Sequence, residues 1–166
     1  MLTTRLVKLV MVASLALFAL LVAYDNLVDY GSNQAFVQHT LSMDTTFPGN
    51  ALMGRAITLP VAWTAAYWLI IATEAAVGIV LAFAALRLAT TLRSSARMFN
   101  AAKRYAVIGA GLGFLLWFTG FMVVGGEWFA AWQSRTWNGQ QAAFHFYVTL
   151  LAVIIFVNQP DGELDG

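Results

Sequence analysis

The sequence predicts an all-α integral membrane protein: a four-helix bundle with both termini on the cytoplasmic side (N-in/C-in) and short interfacial helices in its first outer loop. Three observations point there. Apolar residues make up 60% of the 166 and charged residues 10%, against roughly 45–50% and 25% in a soluble domain. Four long stretches, 9–24, 62–86, 106–126 and 142–157, carry a single formal charge, Glu74. The basic residues gather on alternate sides of those stretches. So little charge excludes an ordinary cytosolic enzyme, a disordered tail and a nucleic-acid partner.

Each stretch is read as a membrane span, because about 30 Å of hydrocarbon requires roughly 20 apolar helical residues with every backbone group paired internally. The expected spans are about 6–24, 62–86, 106–126 and 141–158. The first is extended through Lys8 and Arg5, whose stems can snorkel to the headgroups. The last must borrow Gln140, Gln141 and Asn158. The N-terminal pattern of basic residues and an apolar run also resembles a secretory signal, but no small-x-small site closes the run before Asp25, so an uncleaved anchor is expected.

Orientation follows from Arg5, Lys8, Arg87, Arg93, Arg97, Lys103 and Arg104 on one side against Arg55 and Arg135 on the other. The positive-inside bias places the first group, both termini and the 87–104 loop in the cytoplasm. The tail acids Asp161, Glu163 and Asp165 weigh little in that rule. Arg87, Arg93, Arg97, Lys103 and Arg104 are expected to meet lipid headgroups. Cysteine is absent, which excludes disulfides, thiolate metal sites, iron–sulfur clusters and covalent haem attachment.

In the first outer loop, Asn50 after the Pro48-Gly49 turn can cap a short helix with Leu52, Met53, Ala56 and Ile57 on one face and Trp63 as an interfacial anchor. Phe36, Val37, Thr40 and Leu41 suggest a further helical turn upstream. The second outer loop carries Trp128, Phe129, Trp132 and Trp137, as a headgroup belt or a docking surface would. No repeat or second domain interrupts residues 1–166, read as one four-span domain.

The segments TTFPGNALMGRAIT and FLLWFTGFMVVGGEWFAAWQSRTWNGQQAAF resemble those of a bacterial family of predicted small integral membrane proteins, a domain of unknown function, over nearly the whole chain. The resemblance implies a four-helix protein of the bacterial inner membrane. It implies no activity, cofactor or catalytic residue.

Glu74 stands out. Counting from Ala62 and Arg87 at about 1.5 Å per residue puts it roughly 18–20 Å from either end of its span, in mid-bilayer. A carboxylate there must face the bundle and find a partner, and Ser14 lies at similar depth on the first helix. With no second ionisable group visible at membrane depth, interhelical bonding is favoured over proton or cation transport. His145 sits roughly 5 Å inside the outer boundary. Together with Glu127, Asp25 and His39 it could line a small outer-face site for a metal or quinone headgroup. The spacing carries no ligand signature, and a wet or Glu127-bonded histidine is the plainer reading. Haem ligation by His145 and His39 is weaker still.

Gly109, Gly111 and Gly113 mimic a dinucleotide loop but lack the preceding strand and following acid. Gly109 and Gly113 instead form a GxxxG face with Ala106 and Ala110, and the second span offers Ala62 with Ala66 and Ala72 with Ala76. Such faces let helix backbones approach, within the bundle or against another protein. No metallohydrolase, nucleophile-elbow or phosphate-loop motif is present. No metal or cofactor is expected, and the expected partners are membrane lipids and other integral subunits or a second copy. The leading reading is a non-catalytic accessory or scaffold subunit of a larger membrane complex. The alternative is a small transport or redox component using Glu74 for protons, or His145 and Glu127 for quinone or haem.

Overall fold

In a computed structural model, which describes residues 1–164, the chain is helical. Asp165 lies outside the described residues. Helix α1 spans Leu2–Val28, α2 Tyr30–Ser42, α3 Pro60–Thr90, α4 Ala96–Ala102, α5 Arg104–Phe114 and α6 Gln140–Asn158. α5 continues without a break into a π-helical stretch, Leu115–Trp128. Four helical stretches are long and apolar enough to cross a membrane: Leu2–Val28, Pro60–Thr90, Ala96–Trp128 and Gln140–Asn158. Each expected span falls inside one of them.

Helices α1 and α3 form the best-packed pair. α3 opens on Pro60, whose fixed φ suits a first helical position. Its inward face follows Ile71, Glu74, Gly78, Leu81, Ala85 and Leu88 at three- and four-residue steps, and α1 answers with Val12, Ala16, Ala19 and Ala23, all buried. The closest approach is at Gly78, where a Cβ would stand 2.6 Å from Leu20 Cγ and 3.0 Å from Leu20 N. Gly109 and Gly113 are both used inside the bundle: a Cβ would meet Leu81 Cδ2 on α3 at 2.7 Å and Leu150 Cδ1 on α6 at 2.6 Å, respectively. Ala106 and Ala110 are buried in the same seam. Ala72 and Ala76 are not used inside the bundle: both are exposed, because Glu74, two positions from each, points inward and a helix turns about 200° in two residues.

The first connection also departs from expectation. The upstream segment is a full helix, α2, packed on α3 through Val37, Tyr67 and Ile71. The segment after Asn50 makes only a single 3₁₀ turn, Met53–Arg55. Asn50 Oδ1 does accept from Leu52 N at 2.9 Å, but Ile57 N donates to Leu41 O at 2.8 Å and draws the chain away before a second turn can form.

Both termini and the α3–α4 connection meet at one end, here called the basic end. Arg5 and Lys8 are 0% and 1% exposed, so they do not snorkel. Arg5 donates to Leu92 O, Ser94 O and Gly162 O at 3.0, 2.7 and 2.8 Å. Lys8 Nζ donates to Gln159 O and Asp161 Oδ2, each at 2.7 Å. Lys103 Nζ is bonded to the same Asp161 oxygen and to Asn100 Oδ1 and Gln159 O at 2.7 and 2.6 Å. Lys103 is therefore a buried tail anchor, whereas Arg87, Arg93, Arg97 and Arg104 stay exposed. Burial alone would raise the Asp161 carboxyl, but the ammonium groups of Lys103 and Lys8 hold it below its ordinary value. Glu163 closes the arrangement by accepting from Ala96 N at 2.9 Å, at the start of α4.

Candidate functional site

The inward face of α3 carries Tyr67, Ile71 and Glu74 on successive turns, and the antiparallel register sets Asn26, near the end of α1, against them. Asn26 Nδ2 donates to Glu74 Oε2 at 2.7 Å. Tyr67 Oη donates to Asn26 O at 2.8 Å, with Asn26 Oδ1 3.4 Å away. The Tyr67 ring is steadied by Tyr30 of α2, centroid to centroid 4.8 Å. Glu74 is 2% exposed and Asn26 8%.

One expectation for Glu74 is corrected. Its partner is Asn26, while Ser14 lines a separate crevice with His145 and Thr149. Its level is that of the far end of α1: Asn26 stands eighteen residues beyond Lys8, roughly 27 Å along the helix. On α3 Glu74 stands fourteen residues past Pro60 and sixteen before Thr90, so the middle of α3 meets the last turn of α1.

Glu74, Asn26, Tyr67 and Trp117 form the buried wall of a cavity of about 370 Å³, within the range of ligand sites. Its rim carries the exposed polar residues Asp25, Asn33, Thr136 and Asn138. A second cleft of about 280 Å³ adjoins it, sharing Phe36, Val37, Ile70, Phe121 and Gly139. Its π-helical wall brings Leu116, Gly120, Val124 and Gly125 to the surface, and π-helical turns commonly occur at functional sites. Thr40 Oγ1 is buried at this cleft without a hydrogen-bond partner. Beneath the cavity Phe18, Trp117 and Phe146 pack as an aromatic trio with centroids 4.9–5.9 Å apart. The trio stands between the Glu74 cavity and the Ser14–His145 crevice.

The proposed outer-face group does not assemble. Asp25 sits on the cavity rim, His39 Nδ1 is 2.8 Å from Asp44 Oδ2 and stacks on Trp137 at 4.7 Å, and Glu127 and His145 are exposed elsewhere. Among the described residues no three His, Asp or Glu side chains are grouped to hold a metal. Nor are His39 and His145 set as an axial pair. Asn26, Tyr67 and Thr40 escaped sequence reasoning. The one available signal was the polar character of Asn26 just past the apolar run.

A bundle of four membrane-crossing helices with a polar cavity at one end defines a small polytopic membrane protein. The family model described as "Predicted small integral membrane protein (DUF2165)" matches residues 4–160, and the chain belongs to that family. No curated protein and no solved structure matches the chain.

Proposed function

We propose that the protein is a non-catalytic component of the bacterial inner membrane that receives a small molecule in the Glu74 cavity. The positive-inside bias supports placing the basic end, with both termini, in the cytoplasm, and the cavity mouth outside. The observation that carries the reading is the buried Asn26–Glu74 bond in the wall of a cavity with a polar rim. A carboxyl used only to join two helices needs no open volume beside it. The aromatic trio below argues against a through-path for protons, and among the described residues no metal-holding group accompanies the carboxyl, so binding fits better than transport or redox chemistry.

An accessory role beside a larger membrane complex is supported by exposed Ala72 and Ala76 on α3, a shallow face on which another helix can pack. Membrane lipids cover the remaining apolar surface.

The test is labelling of the intact protein in vesicles by an apolar carbodiimide, read by peptide mass spectrometry. Glu74 is expected to be modified, and proton flux is expected to be equal for wild type and Glu74→Gln. A Glu74 that stays unmodified while exposed Glu127 reacts contradicts the binding reading. Flux that disappears in Glu74→Gln favours the transport alternative.

A further inference from the structure

We infer that the occupant is a single-chain amphiphile with a cationic amine head, the amine at Glu74 and the chain in the adjoining apolar cleft. This rests on the reading of the Glu74 cavity as a ligand site and adds the chemistry of the ligand.

Four observations converge. Glu74 Oε2 is taken by Asn26, whereas Oε1 has no hydrogen-bond partner among the described residues, although the residue is nearly fully buried and lines the cavity. Unlike Thr40 Oγ1, Oε1 is not sealed off: it opens on the cavity, where a donor, best a cation, can reach it. Among the described residues, the carboxylates lining the cavity are Glu74 and Asp25, of the same sign, and no Lys, Arg or His lines either the cavity or the cleft. That charge pattern repels fatty acids and phosphates and attracts ammonium groups. The cavity does not end in a closed wall. It shares five lining residues with a cleft whose other walls are almost wholly apolar, so a molecule seated at Glu74 can extend an alkyl chain past Phe36, Ile70 and Phe121. Thr40 Oγ1, 92% buried by residue and unpartnered, is the one polar atom left unsatisfied along that cleft.

The experiment measures protection of Glu74 from carbodiimide in nanodiscs of a neutral phospholipid, with Glu127 as internal reference. N,N-dimethyldodecylamine is the probe, because its tertiary nitrogen cannot be acylated by the activated carboxyl. It is expected to slow Glu74 labelling about tenfold or more, the scale of a charge-assisted hydrogen bond. N,N-dimethylpropylamine, which lacks the chain, and dodecanol, which lacks the charge, are expected to protect far less. Gly125→Ala narrows the cleft at the cost of ordinary contacts only, since its Cβ would stand 3.7 Å from Thr40 Cγ2 and 3.5 Å from Gly120 O. It is expected to weaken protection by the long amine more than protection by the short one, each measured against the variant's own unprotected rate. Equal protection by dodecanol, or no protection of a Glu74 that labels normally, overturns the amine inference and leaves the cavity reading standing. Failure of Glu74 to label without any probe overturns both.

Discussion

Asn26 and Glu74, forty-eight positions apart in sequence, share a 2.7 Å hydrogen bond that ties the last turn of α1 to the middle of α3. The bond leaves one carboxylate oxygen toward a cavity and links helix packing to whatever that cavity holds.

Removing the amide tests the structural half of this arrangement. Asn26→Leu keeps volume but strips the donor from a buried carboxyl, a change worth roughly 1.5–3 kcal/mol when the acceptor is charged. Thermal unfolding in detergent is expected to shift downward for Asn26→Leu and much less for Asn33→Leu, on the exposed rim. Equal shifts would mean that the bond contributes nothing.

Glycine substitutions separate close packing from open surface. A methyl at Gly78 would stand against the Leu20 backbone, so Gly78→Ala is expected to cost about 1–3 kcal/mol, as overpacking does. Gly111, with nothing within 4 Å of its added Cβ, is expected to tolerate alanine, or to gain slightly in helix propensity. Unfolding curves of the two variants in one detergent check the ordering.

How much of this was legible in the sequence depends on which length scale carried the information. Crossing helices follow from runs of apolar residues, and Gly109 and Gly113 were readable as packing residues because their spacing is itself the contact. Glu74 was legible as a buried group because it is the one charge in the four apolar stretches. Its partner was not. Counting inward from the ends of the apolar runs aligned it with Ser14, but α1 and α3 are offset along their axes, so the middle of α3 meets Asn26 in the last turn of α1 and not the middle of α1. Ala72 and Ala76 repeat at the same interval as a buried pair, and an interval alone does not say which face of a helix it lies on. Asp161 was discounted because acids barely affect insertion, whereas its role comes from folding back onto Lys8 and Lys103, a contact across the whole chain.

That contact predicts a pH response. The Asp161 carboxyl is held below its ordinary value in the folded protein, so its contribution is complete above the unfolded carboxylate pKa and is lost as pH falls through the lower, folded one. Tail docking is therefore expected to be intact at neutral pH and to loosen only under strongly acidic conditions. Asp161→Asn is expected to free the tail at neutral pH, at a cost of about 3 kcal/mol, because two buried ammonium groups lose their counter-ion. Hydrogen exchange of residues 159–164 measures both effects. A tail equally protected in wild type and Asp161→Asn would contradict the pairing.

The chain's lack of cysteine allows one measurement to address the central claim directly. Glu74→Cys, in vesicles of known sidedness, is treated with a membrane-impermeant thiol reagent presented to one face at a time, with lipid-facing Ile79→Cys as the comparison. The account predicts that position 74 reacts from the face opposite the basic cluster and that position 79 reacts from neither. Reaction at position 74 only from the basic face, or from neither face in a folded variant, would contradict it.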